Sequence, residues 1–235
     1  MQDPLSTVGI ARFATEYYGD LPLKSRVLTK LRPYYCPLHD IAKRVPIGSD
    51  VFDIGCGSGL LVNSLTAAGR IATGAGVDSN EKAIIAAKKV AVRLKAELEF
   101  RACSDPRAWP QRRFNVVTMI DVMHHIPPRM QLTFFDEAIR RVKPGGVLLY
   151  KDMCLKPRWR AIANRFTDLA STKQWIHYLP IDTVLRWARE AGLTPIERHN
   201  FVRWQIFGHE MVVFRNEQDV GAVMKATGEM PPEQL

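Results

Sequence analysis

Three groups of residues in this 235-residue chain are spaced for chemistry. The first is Asp53-Ile54-Gly55-Cys56-Gly57-Ser58-Gly59, an acid followed by glycines at alternate positions. Glycine carries no Cβ, so a ligand can approach the backbone closely, and the amides that open the next helix face it. The second is Asp78, about 20 residues past the turn, where a second parallel strand sets a carboxylate against ribose hydroxyls. A carboxylate can accept from both hydroxyls at once. The third is Asp121-Val122-Met123-His124-His125-Ile126-Pro127, two histidines close to an acid. Histidine is the natural proton acceptor near neutral pH.

These groups need strands and helices to position them. An apolar run through residues 51–54 reads as a buried strand, and Leu60, Leu61, Val62 and Leu65 follow at helical spacing. Further strands are expected over 73–77, 98–103, 114–120 and 147–151. Helices are expected over 81–94, with Ser79 and Asn80 as caps, and over 130–142. Lys143-Pro144-Gly145-Gly146 reads as a turn before the fifth strand. An amphipathic helix over 181–191 stops at Gly192, and last strands near 195–200 and 208–214 form a hairpin-like edge. Alternating strands and helices imply a mainly parallel sheet covered on both faces. Residues 1–47 form an N-terminal segment, helical around 12–18 and 25–31 and interrupted by Pro33-Tyr34-Tyr35-Cys36-Pro37. Residues 48–215 form the main domain, with a helical insert near 155–180, and 216–235 form a polar tail.

The glycines do not fit the dinucleotide fingerprint, whose third glycine would fall at Leu60. Glycines at 55, 57 and 59, Asp78, the strand followed by Asp-x-x-His-His-x-Pro, and Lys-Pro-Gly-Gly before the fifth strand together resemble another family. It is the class I S-adenosylmethionine-dependent methyltransferases of small-molecule type, and the resemblance covers roughly residues 45–215. It implies a three-layer α/β/α sandwich with a seven-stranded, mainly parallel sheet and an antiparallel last strand. It implies S-adenosylmethionine as cofactor, held by Asp53, Gly55, Cys56, Gly57, Gly59, Asp78, Ser79, Ile120 and Asp121, with Ser104 or Asp105 at the adenine. N-terminal segments in this family often close over the cofactor, which makes Tyr17, Tyr18, Tyr34 and Tyr35 lid candidates. Cys56 is expected to be a small filler of the turn.

The implied reaction is methyl transfer from a sulfonium by in-line displacement, for which alignment of donor and acceptor is the protein's main task. A base is needed only where the acceptor must lose a proton. His125 and His124 are the candidates, about 100° apart if a helix begins there, with His125 preferred. His177, beside Tyr178 in the insert, is a second candidate base. No Asn/Asp-Pro-Pro-Tyr motif follows the fourth strand, which favours oxygen over amino acceptors. No carboxylate–histidine spacing of metal-dependent catechol methyltransferases is present, so no metal is expected.

The acceptor is expected to be a small molecule, free, lipid-like or borne on an acidic carrier protein. The last would suit the cluster Lys156-Pro157-Arg158-Trp159-Arg160 with Arg165. Net charge is +9, and four acids lie in the last twenty residues, so the body is more basic still. That balance motivates an RNA methyltransferase as one alternative, although the motifs disfavour nucleic acid, and a non-catalytic cofactor-binding module as another. The 46% hydrophobic content suffices for one full core. No apolar stretch approaches the roughly 20 residues of a membrane helix, and no signal peptide is read. Four scattered cysteines, Cys36, Cys56, Cys103 and Cys154, point to reduced thiols in a cytoplasm.

Overall fold

A computed structural model describes residues 3–153, 176–203 and 207–217. Its centre is β1 (Ser49–Ile54), the strand that ends at the glycine turn. Parallel neighbours flank it: β2 (Ile71–Asp78) and β3 (Leu98–Ala102) on one side, β4 (Phe114–Ile120) and β5 (Val142–Met153) on the other. β6 (Leu193–Arg203) and β7 (Phe207–Asn216) complete a seven-stranded sheet in the order β3-β2-β1-β4-β5-β7-β6. β7 is antiparallel to both β5 and β6.

Successive strand residues point to opposite faces, and both faces are apolar. Val51, Val116, Leu149 and Val213 face one layer of helices, while Phe52, Val117, Leu148 and Phe214 face the other. The first layer holds α1 (Thr7–Tyr17), α3 (Leu38–Lys43), α4 (Leu60–Ala67) and α5 (Glu81–Arg93), through residues such as Ile10, Ile41, Leu65 and Val90. The second holds α6 (Pro128–Arg140) and α7 (Ile181–Glu190), through Phe135, Ala138, Val184 and Leu185. This is the three-layer sandwich expected. Asn80 caps α5 by accepting from the Ala83 amide, as its position in the sequence suggests.

Three local expectations are corrected. First, α2 (Leu23–Tyr35) runs through Pro33 where an interruption was expected. A proline removes one ladder bond near the helix end, and its ring is buried there. Second, Lys143 to Gly146 is a bulge inside β5 and not a turn before it. Phe114 pairs with Val142 and Val116 with Val147, and Gly145 takes φ 73° between them. Third, Asn216 belongs to β7, is buried, and donates through Nδ2 to the Val142 carbonyl at 3.1 Å. The last two strands form the antiparallel hairpin expected at the sheet edge, with β7 against β5 and β6 outermost. The Lys156–Arg165 cluster, most of the predicted insert, Cys154 and the rest of the tail lie outside the described residues.

Candidate active site

The glycine turn leaves β1 at its carboxyl end, where open parallel sheets bind their ligands. Gly55 takes φ 72°, and a Cβ there would lie 2.3 Å from Val122 Cγ2, so no other residue fits. Gly57 takes φ 54°, and its missing Cβ would meet nothing within 4 Å. That open backbone is the cradle a cofactor would fill. Its amide donates to Asp78 Oδ2 at 2.8 Å, and Asp78 Oδ1 accepts from the Asn80 amide at 2.8 Å. Asp78 is thus oriented at the end of β2, next to the open turn, with lone pairs left for hydroxyls. Ser79 is exposed beside it. These residues fit an adenosyl cofactor.

Asp53 and Cys56 lie below this surface. Asp53 is buried and accepts from Thr118 Oγ1 at 2.6 Å. Burial pushes its carboxyl up to about 6, against the pull of Thr118 and of Arg32. Cys56 is buried, and burial holds its thiol well above the ordinary range, which suits an inert filler. On β3's side, Asp105 caps a short 3-10 turn and pairs with Arg107 at 2.9 Å. Ser104 beside it is exposed.

The four N-terminal tyrosines differ in environment. Tyr18 is buried, and its hydroxyl donates to the Ser58 carbonyl at 3.0 Å while accepting from Asn63 Nδ2 at 3.1 Å. It is a fixed strut beneath the turn. Tyr17 stacks on Phe13 and carries Arg93 over its ring, Tyr35 packs partly buried against the core, and Tyr34 is exposed.

At the carboxyl ends of β4 and β5 a charged floor forms. Ile120 is buried in the last position of β4. Asp121 follows it with φ 56°, an uncommon backbone for a residue with a Cβ. Its carboxylate meets the ammonium of the wholly buried Lys151, the Arg32 guanidinium at 3.7 Å and the Cys36 thiol at 3.6 Å. Burial alone would raise the Asp121 carboxyl, but Lys151, His209 and Arg32 outweigh it and hold the group well below the carboxylate range. Lys151 is likewise kept charged: burial opposes the charge, and Asp121, Cys36 and Asp152 together outweigh it. His209, on β7, is buried and bonds the Tyr35 carbonyl at 2.7 Å.

The two motif histidines separate in environment. His124 is buried, and its Nδ1 is paired with Asp152, which also accepts from the His124 amide at 3.2 Å. His125 lies partly exposed beside it, ring centroids 4.1 Å apart. Its Nδ1 is buried with no hydrogen-bond partner among the described residues. Burial, helped by His124, pushes its pKa down to about 4, so the ring is neutral at pH 7. His177 is brought to the same place: its amide donates to the His124 carbonyl at 2.7 Å. Ligand atoms of Asp121, His124 and Asp152 fall within 4.8 Å of one another, a set no sequence spacing announced. Lys151 already balances the charge of Asp121, and Asp152 is paired with His124 Nδ1.

Reading by motif passed over Arg32, Lys151 and Asp152. A cation and an acid adjacent at the end of a buried strand, Lys151-Asp152, were the available signal. Arg32 had none, because only folding brings α2 to β4.

A family profile described as a methyltransferase domain matches residues 28–198. The chain belongs to that family, and its site is that of a class I S-adenosylmethionine-dependent methyltransferase. Curated relatives are named ubiquinone biosynthesis O-methyltransferase. The protein of Alkalilimnicola ehrlichii is 26% identical over 62% of this chain and 61% of its own length. That of Cereibacter sphaeroides is 27% identical over 69% of this chain and 68% of its own. The chain therefore spans less than two thirds of the first of these. Among solved structures, the N-methyltransferase NodS of Bradyrhizobium japonicum, in complex with S-adenosyl-L-homocysteine, shares the fold. Its TM-score is 0.61 at 18% identity, covering 89% of this chain and 99% of its own. An O-methyltransferase family protein of Burkholderia thailandensis gives 0.63 at 18%, covering 89% and 63%.

Proposed function

We propose that this chain transfers the methyl group of S-adenosylmethionine to an oxygen of a small-molecule acceptor, at the cleft above β1, β2 and β4. The single observation that carries the oxygen assignment is the partly exposed, neutral ring of His125 in the motif that follows β4. The names of the curated relatives support the same choice. Bound S-adenosylmethionine supplies a methyl on a sulfonium, both electrophile and leaving group. Gly55, Gly57 and Gly59 would seat it, Asp78 would take its ribose hydroxyls, and Asp121 and Arg32 face its methionine end. Asp105 and Ser104 stand as the candidates for the adenine. The partly exposed His125 ring would accept the proton as the acceptor's O–H bond breaks. Asp152 fixes His124 and thereby the backbone that carries His125, a positioning role.

A carboxylate acceptor needs no base, and a hydroxyl does. An acceptor borne on an acidic carrier protein is compatible with the basic body, and a cytoplasmic setting suits the free thiols of Cys36, Cys56 and Cys103. No helix among the described residues is long and apolar enough to cross a membrane.

The test is production of S-adenosylhomocysteine against phenols, carboxylic acids, amines and carrier-bound acyl chains. Turnover with a phenol should fall by about 10²–10⁴ in kcat for His125→Ala, with KM for the cofactor unchanged. Turnover with amines alone would remove the oxygen assignment. Full activity of the variant on a phenol at neutral pH would remove His125 as base.

A further inference from the structure

α2 presents an amphipathic face that the methyl-transfer chemistry does not use. Leu23, Val27, Leu31 and Tyr34 recur at i, i+4, i+8 and i+11, within about 80° of arc at ~100° per residue. With Leu28 they are between 37% and 67% exposed, although each is large and apolar. The opposite side, with Pro33 buried, is turned toward the protein. A helix that packs only for stability would turn these residues inward, so the stripe marks a contact surface.

Charge says what it contacts. α2 contains Lys24, Arg26, Lys30 and Arg32, and no acid lies between Asp20 and Asp40. Lys24 and Lys30 are exposed, Lys30 on the flank of the stripe and Lys24 within it. A second copy of the same face would bring six cations together, Lys24, Arg26 and Lys30 from each, which charge opposes. Apolar side chains framed by lysine and arginine are what an anionic bilayer receives: the stripe enters the acyl boundary and the ammonium groups reach the headgroups.

We propose that α2 docks this protein on an anionic lipid surface. The proposal is independent of the methyl-transfer reading. It also sets the site close to the bilayer, because the last turn of α2 carries Arg32, at 3.7 Å from Asp121, and is followed by Cys36, which donates to the same carboxylate.

The experiment is flotation of the full chain with phosphatidylcholine vesicles, with and without about one third phosphatidylglycerol. Wild type should float with the anionic vesicles, lose that binding in high salt, and ignore pure phosphatidylcholine. Val27→Glu/Leu31→Glu and, separately, Lys24→Glu/Lys30→Glu should each lower the partition at least ~ten-fold. All four positions are exposed, so an unchanged melting temperature and unchanged S-adenosylhomocysteine binding by calorimetry should accompany the loss. The proposal is overturned if wild type binds neither vesicle, or if both variants float as wild type does. It is equally overturned if Val27→Glu/Leu31→Glu dissolves a wild-type dimer that never floats, since the face would then join two copies.

Discussion

The ammonium of Lys151, with no exposure to solvent, rests against the carboxylate of Asp121, whose own backbone is held at φ 56°. The pair joins the ends of two adjacent parallel strands, which are in register at Ile120 and Lys151. A buried ion pair adds little over apolar packing, but removing one partner strands the other charge. Here the surviving charge would sit at the floor of the methyl-transfer cleft.

Lys151→Met should therefore lower unfolding free energy by about 3–5 kcal/mol. The double variant Lys151→Met/Asp121→Asn should recover part of that loss, because no uncompensated carboxylate remains. Urea unfolding of the wild type, both single variants and the double variant measures the coupling. Strict additivity would show that the two groups do not act on each other.

Tyr18→Phe leaves the ring packing intact and deletes one hydroxyl. The Ser58 carbonyl loses a donor and Asn63 Nδ2 loses an acceptor. The expected cost is about 1–3 kcal/mol, or roughly 2–12 °C in melting temperature. Because Ser58 lies within the glycine turn, cofactor affinity should weaken as well, read by calorimetry with S-adenosylhomocysteine. A fall in melting temperature with unaltered affinity would confine Tyr18 to packing.

Asp78→Asn keeps the shape and removes the charge. Gly57 and Asn80 would lose charge-assisted bonds, and a ribose would lose its strongest acceptor. Hydrogen bonds to charged groups contribute about 1.5–3 kcal/mol, so affinity for S-adenosylhomocysteine should fall roughly 10–150-fold. Binding as tight as wild type would place the ribose elsewhere.

Acid should destabilise the fold through its histidines. Burial, with Lys151 beside it, depresses His209 to about 3, and burial depresses His125 to about 4. An unfolded histidine takes its proton near 6.5. Between about pH 6.5 and 4 the unfolded chain binds protons that the native one refuses, so stability falls as pH falls, by up to about 1.4 kcal/mol per pH unit for each group. Asp53, raised to about 6, works in the opposite sense: its native form takes a proton first, which offsets part of the loss between about pH 6 and 4. His209→Gln keeps a donor near the Tyr35 carbonyl and removes one titration. Its unfolding free energy should depend less steeply on pH than wild type over that window, and equal slopes would refute the assignment.

Much of the fold was legible because alternating apolar runs and glycine turns are local signals. β4 begins and ends where its sequence says, and Asn80 caps its helix as its residue type suggests. Gly55, Gly57 and Asp78 converge as the motif implies. The misses have a common origin in tertiary packing. Pro33 does not break α2, because one lost ladder bond is a small cost beside a buried face. The bulge at Lys143–Gly146 depends on how β5 meets Phe114, which sequence periodicity does not encode. Arg32, Cys36, Asp121, Lys151 and His209 come from four separate stretches of chain, and their charges acquire meaning only in contact. His124 and His125 are neighbours in sequence, yet Asp152, 28 residues on, gives one of them a carboxylate partner.

The slot taken by β7 also orders events during synthesis. Residues 207–216 slide between two strands translated earlier, and from there His209 comes within electrostatic reach of Lys151 and Asp121. Until the ribosome has released that stretch, the lysine has a flank open to water and the cleft has no finished bottom. The nascent chain can therefore build its nucleotide-facing half early, while competence for chemistry waits on the emergence of β7.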